Sequence, residues 1–268
     1  MVLYLFIVLT ILYLLAIMPK MFSRRDISPF KGRFYAHRGL HNNIARTPEN
    51  SIGAFRLAIE NQYGIELDVR LSRDNIPVVF HDANLKRVCG LDKKVSDLTF
   101  DELNNLYLFD SNERIPLLTE VLQLVNGQVP LIIELKTSKN DTSVCKVVAP
   151  ILDNYNGIYC IESFNPLIVI WYSKNRSNVI RGQLSTNYSK DGIKNDKLIN
   201  LLLQNLLLNF AAKPDFISYN YKYSNMLSYV LCHKLYKTST FAYTIRSKEE
   251  LQKSMDRFDF FIFEGFRP

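Results

Sequence analysis

After an apolar opening, the chain alternates short β-rich apolar runs with longer stretches of helical spacing. Residues 1–18, MVLYLFIVLTILYLLAIM, carry no charge and show no polar face. Such a run lies within the roughly 17–25 residues that cross a bilayer and predicts an N-terminal transmembrane helix. A cleaved signal peptide fits less well, because no basic segment precedes the run and no small-residue cleavage site lies before Pro19. Strands are then predicted at 33–37, 65–71, 131–136, 158–162, 179–184, 216–219, 241–245 and 260–263, with helices between them at 51–61, 119–125, 143–154, 165–174, 197–210 and 247–257. Alternation of this kind predicts a parallel sheet with crossover helices, and eight strands close a (β/α)8 TIM barrel.

The stretch between the second and third strands is too long for an ordinary crossover, so a small insertion is expected after strand 2, at about 74–114. The organisation is therefore a transmembrane anchor at 1–18, a basic linker at 19–32 and one barrel domain at 33–268.

Composition narrows the class. Hydrophobic residues make up 47% and charged residues 22%, enough to build a core and inconsistent with disorder. The net charge of +7 suits an anionic partner without choosing one. No nucleic-acid partner is expected, and oligomeric state is not encoded in any feature of the pattern. Lys20, Arg24, Arg25, Lys31 and Arg33 follow the apolar run with only Asp26 opposing them, which predicts a single-pass protein of the cell membrane with its barrel in the cytoplasm. Cys89, Cys145, Cys160 and Cys232 lack any metal or redox spacing and read as free thiols.

The chemistry gathers at strand ends. Glu66 and Asp68 lie two apart on one strand and project from the same face, as a clamp for a divalent cation; Glu134 brings a third carboxylate and Lys136 a cation to the same barrel mouth. Unpaired, three neighbouring carboxylates repel one another. All-oxygen ligation favours Mg²⁺ or Ca²⁺. His37 ends the first strand and is followed by Arg38 and Gly39, a grouping that can meet a phosphate. His81 follows the apolar run 77–80. Histidines near neutral pKa serve both as base and as acid in splitting a phosphodiester, which assigns catalysis to His37 and His81 and leaves His41 and His233 as structural residues.

In order, the residues spell Ala36-His37-Arg38-Gly39, Pro48-Glu49-Asn50-Ser51, Glu66-Leu67-Asp68-Val69, Val78-Val79-Phe80-His81-Asp82, Ile115-Pro116-Leu117 and Glu134-Leu135-Lys136. This series resembles the glycerophosphodiester phosphodiesterase family, in its membrane-anchored bacterial form, from Arg33 to the C-terminus. The resemblance implies a TIM barrel with an insertion after the second strand and a metal-dependent hydrolase releasing glycerol 3-phosphate and an alcohol. It makes His37 and His81 the acid/base pair, Glu66, Asp68 and Glu134 the ligands of one divalent cation, and Arg38 and Lys136 the phosphate-binding pair. Glu49 and Asn50 would shape the mouth, and Phe164 would line the pocket. The chain departs from the family pattern near its end, where Tyr243 and Glu264 are expected to touch the alcohol. Two alternatives stand beside this reading: lysophospholipase D-type hydrolysis of membrane lysolipids, and a catalytically silent phosphodiester-binding scaffold at the membrane.

Overall fold

The computed structural model describes all residues except 44–46, 138–140 and 194–195. Among the described residues, nine strands form one sheet: β1 (Tyr35–His37), β2 (Gly64–Leu71), β3 (Pro77–Val79), β4 (Leu131–Leu135), β5 (Tyr159–Ser163), β6 (Arg181–Ser185), β7 (Phe216–Asn220), β8 (Ser239–Ile245) and β9 (Phe260–Phe263). All but β3 run parallel, and β1 pairs with both β2 and β9, closing an eight-stranded barrel. The expected TIM barrel is thus observed, each predicted strand lying within two residues of an observed one. β3 is an antiparallel partner of β2 and opens the insertion, which builds its own small core from Val78, Phe80, Leu85, Val88, Leu103 and Leu108.

The helices are α1 (Val2–Ile17), α2 (Ile52–Glu60), α3 (Lys86–Cys89), α4 (Phe100–Leu103), α5 (Leu118–Val125), α6 (Ser143–Asp153), α7 (Pro166–Asn175), α8 (Lys197–Gln204), α9 (Asn209–Ala212), α10 (Leu227–Val230) and α11 (Lys248–Ser254). The single helix expected over 197–210 is two pieces, α8 and α9. Leu206 between them is buried and sits at φ 55, a left-handed conformation that ends a helix.

Side chains two apart on a strand share a face, and here that rule sorts the barrel interior into layers. The lower layer is apolar, with Tyr35, Ile132, Cys160, Phe216, Phe241 and Ile262 in one buried cluster. Two residues further along the same strands stand His37, Glu134, Glu162, Ser218, Tyr243 and Glu264. Gly182 makes room for this floor, since a Cβ there would lie 2.1 Å from the Phe216 ring. Phe30 closes the floor from below, fully buried, and its carbonyl accepts a 2.7 Å hydrogen bond from the Tyr35 hydroxyl.

The N-terminal segment departs from expectation. α1 has 16 residues, about 24 Å at 1.5 Å per residue, against the roughly 30 Å hydrocarbon thickness a span must cover. Among the described residues no helix is long and apolar enough to cross a membrane, and the transmembrane assignment is corrected accordingly. The last turn of α1 is instead part of the barrel's outer packing: Ile17 is buried, its carbonyl accepts from Asn209 Nδ2 at 3.1 Å, and the Leu14 carbonyl accepts from the Tyr236 hydroxyl at 2.8 Å. Four of the five basic residues after it are engaged as well. Lys20 pairs with Asp215 at 3.1 Å, Arg24 donates to the carbonyls of Tyr236 and Lys237, Arg25 to that of Ser177, and Arg33 to that of Gln62.

Candidate active site

The upper layer of the barrel holds the ionisable residues. β2 carries Glu66 and Asp68 inward, and the register sets Asp68 beside Glu134 on β4 and Glu134 beside Glu162 on β5. One oxygen from each of Glu66, Asp68 and Glu134 lies within 4.8 Å of the others, and all three residues are buried. Burial, then the charges of Asp68 and Glu134, push the Glu66 carboxyl well above the usual carboxylate range. Asp68 is held well below that range: burial alone would raise it, but Lys136, His81 and Arg38 outweigh the effect.

Donors fix the trio in place. Asn50 Nδ2 donates to Asp68 Oδ2 at 2.8 Å, the Arg38 amide donates to Glu66 Oε2 at 3.0 Å, and Lys136 Nζ lies 2.7 Å from Glu134 and 3.1 Å from Asp68. Asp68 Oδ1 is buried, receives no hydrogen bond, and has the Lys136 ammonium as its charged neighbour. Three crowded, buried carboxylates with an oxygen to spare fit a small hard cation, and these residues could hold one divalent metal.

Arg38, Gly39 and Asn50 all adopt positive φ, and the Asn50 amide donates to the Arg38 carbonyl at 2.9 Å. Only glycine suits position 39, because a Cβ would come within 2.9 Å of the Ala54 backbone carbon and Cβ in α2. This tight turn aims the Arg38 guanidinium at Glu49, 2.7 Å away, with its Nε 3.4 Å from Asp68.

His37 Nδ1 lies 2.8 Å from Glu264 Oε2, and Nε2 lies 3.9 Å from Glu66. Burial pushes the imidazole down to about 4, although Glu264 pulls the other way. Glu264 itself is lowered to about 2: burial opposes this, and its bond to His37, with Arg246 nearby, prevails. At neutral pH the ring is therefore uncharged, its Nδ1–H donating to a carboxylate and Nε2 free to take a proton. His81, just past β3, sets Nδ1 2.6 Å from Asp82 Oδ1, and its carbonyl accepts from Arg70 Nε at 2.8 Å.

Pattern reasoning passed over four participants. Arg87 of α3 binds Glu49 with two bonds of 2.7 and 2.8 Å and also donates to Asp82 at 2.7 Å, joining the neighbourhoods of Arg38 and His81. Arg70 shares the inward face of β2 with Glu66 and Asp68. Glu162, which accepts from the Ser218 hydroxyl, is pushed up to about 8 by burial first and by Glu134 and Asp68 next. Tyr188 meets Phe164 edge-on at 6.3 Å, as Tyr243 does at 6.0 Å, so the two expected pocket aromatics share one wall with it.

Comparison with known proteins follows the same lines. The model of the glycerophosphoryl diester phosphodiesterase family matches residues 37–261. A glycerophosphodiester phosphodiesterase of Bacillus altitudinis is 38% identical over 115 residues, covering 40% of this chain and 46% of that protein. A lysophospholipase D of Rattus norvegicus is 33% identical over 141 residues, covering 48% of this chain and 44% of that protein. The chain thus spans about half the length of these curated relatives. The crystal structure of a Thermotoga maritima glycerophosphodiester phosphodiesterase superposes with a TM-score of 0.66 at 26% identity, covering 86% of this chain and 94% of that one.

Proposed function

Because the chain belongs to the glycerophosphoryl diester phosphodiesterase family, we propose that its barrel mouth hydrolyses glycerophosphodiesters to glycerol 3-phosphate and an alcohol. The observation that carries this is the buried trio Glu66, Asp68 and Glu134 with His37 and His81 beside it at one end of the barrel. Glu66, Asp68 and Glu134 would hold a divalent cation, Mg²⁺ or Ca²⁺, which when bound would supply Lewis-acid polarisation of the phosphoryl oxygens. Arg38 and Lys136 bind the phosphate as fixed cations in a dry site, where they act most strongly. His37, neutral and oriented by Glu264, takes the proton of the nucleophile at Nε2. His81, oriented by Asp82, gives a proton to the departing alkoxide. Glu49 and Asn50 act through others, holding Arg38 and Asp68. The wall of Phe164, Tyr188 and Tyr243 flanks the alcohol.

That wall, together with the similarity to a lysophospholipase D, favours lysolipids as a second substrate class under the same chemistry. Turnover of glycerophosphocholine and of a lysolipid, with and without EDTA, tests both readings. His37→Ala is expected to lower kcat roughly 10²-fold or more with the fold intact. Turnover indifferent to EDTA and to this substitution would remove the mechanism, and turnover of neither substrate would remove the function.

A further inference from the structure

Four contacts fix the direction of α1 on the barrel. The Lys20 amide donates to the Pro214 carbonyl at 3.1 Å, just before β7 begins, and so at the barrel's lower face. Higher up, the Ile17 carbonyl accepts from Asn209 at 3.1 Å and from Cys232 at 3.3 Å. Tyr13 lies beside Ser228, in the opening turn of α10, which follows β7 on the upper face. Residue 17 thus sits by 232 and residue 13 by 228: α1 runs parallel to α10, and its N-terminal part points upward. Residues 1–12, about 18 Å of helix, continue past the start of α10 on the face that carries the carboxylates and histidines. All of them are exposed, with Leu3 at 68% and Phe6 at 67%, and packing begins at Tyr13.

We infer that this projecting helix and the adjoining rim dock the protein on an anionic lipid surface, with the active-site mouth turned toward the lipid. The inference rests on the phosphodiesterase reading only for the identity of that mouth. The helix is apolar on every side, which suits a medium that surrounds it, whereas a second protein chain would need to cover only one stripe. Its projecting length approximates one leaflet, half of the roughly 30 Å hydrocarbon core.

The rim supplies the rest of an interfacial surface. Leu227, 62% exposed, opens α10 next to the helix, and Leu198, 62% exposed, lies in the first turn of α8, which also starts on the upper face, with exposed Leu201 one turn further on. Between them stand exposed Lys190 and Lys222, each over a tyrosine ring, at 5.8 Å from Tyr223 and 6.0 Å from Tyr221. Lysine with tyrosine is the pairing that sits at headgroup level. The acids nearby are engaged: Asp191 accepts from Thr186 and Tyr223, and Asp196 caps α8 through the Leu198 amide. Lys20, Arg24, Arg25 and Arg33, by contrast, are occupied at the barrel's lower face.

Flotation of the full chain with vesicles of phosphatidylcholine, with and without phosphatidylglycerol, tests the docking. Binding is expected to both and to be stronger with the anionic lipid. Leu5→Glu with Leu9→Glu should lower it at least tenfold while leaving turnover of water-soluble glycerophosphocholine unchanged. Orientation is read with Trp171→Phe as background: Leu227→Trp should be quenched by brominated lipid and Arg25→Trp should not. Absence of flotation, quenching at position 25 alone, or a dimer in light scattering that the same glutamates dissolve without any vesicle binding would overturn the inference. Flotation and quenching are read without turnover. A chain that binds vesicles and hydrolyses no glycerophosphodiester therefore loses the catalytic reading and keeps the docking.

Discussion

Arg87 reaches from the insertion to both sides of the mouth, holding Glu49 behind Arg38 and Asp82 behind His81. A guanidinium that also bonds the second Asp82 oxygen at 3.2 Å, four bonds in all, has no equal in lysine or alanine. Arg87→Ala should therefore lower kcat by roughly tenfold or more through misplacement of both groups, with partial recovery on adding guanidinium ion and little recovery in Arg87→Lys; steady-state kinetics with unchanged thermal unfolding would check it. A second expectation concerns pH. His37, pushed down to about 4, stays neutral and able to accept a proton across the range in which a free imidazole, near 6.5, would be charged. The acid limb of kcat/KM should accordingly lie near pH 4, and a limb near 6.5 would show that another group is the base. Stability follows the same sign: the unfolded chain binds the proton more readily, so stability falls as pH drops from about 6.5 toward 4. The participants divide by legibility. Glu134 and the pair Glu66 and Asp68 were readable because strand periodicity puts them on one face, and Glu162 was readable by the same rule, since Cys160 and Glu162 repeat the step from Ile132 to Glu134. Arg87 was not, because its partner Glu49 lies 38 residues away and no local pattern links them.

At the level of elements, the turn after β1 decides how closely α2 can approach the site. Gly39→Ala places a methyl 2.9 Å from backbone that cannot yield cheaply, in a left-handed conformation besides. Overpacking of this kind costs about 1–3 kcal/mol, so a lowered midpoint in urea unfolding is expected together with loss of activity, as Arg38 and Asn50 shift. The barrel strands were legible since each is a short apolar run bounded by turn residues. β3 was not, being a three-residue pairing that exists only because the insertion folds back on β2. The break between α8 and α9 was hidden for another reason: the leucine-rich pattern 197–210 keeps its period, while the buried left-handed Leu206 interrupts the backbone.

On the scale of the whole molecule, an apolar floor supports a ceiling of crowded charge. Composition and alternation announced the barrel, whereas the docking of α1 depends on Asn209, Cys232 and Tyr236, which come next to it only in the folded chain. The ceiling is a standing strain on the fold. Glu66 is pushed well above the usual carboxylate range by burial and by Asp68 and Glu134. Glu66→Gln keeps an acceptor for the Arg38 amide and removes the repulsion. In the presence of EDTA it should raise the melting temperature by about 2–4 °C, the shift that corresponds to roughly 1 kcal/mol for a domain of this size, while turnover is lost; an unchanged or lower melting temperature would contradict the repulsion. On this expectation, a substitution that silences the site at Glu66 also relaxes the barrel. Holding Glu66, Asp68 and Glu134 together in one buried layer thus trades sturdiness of the barrel for a place where a cation can be held.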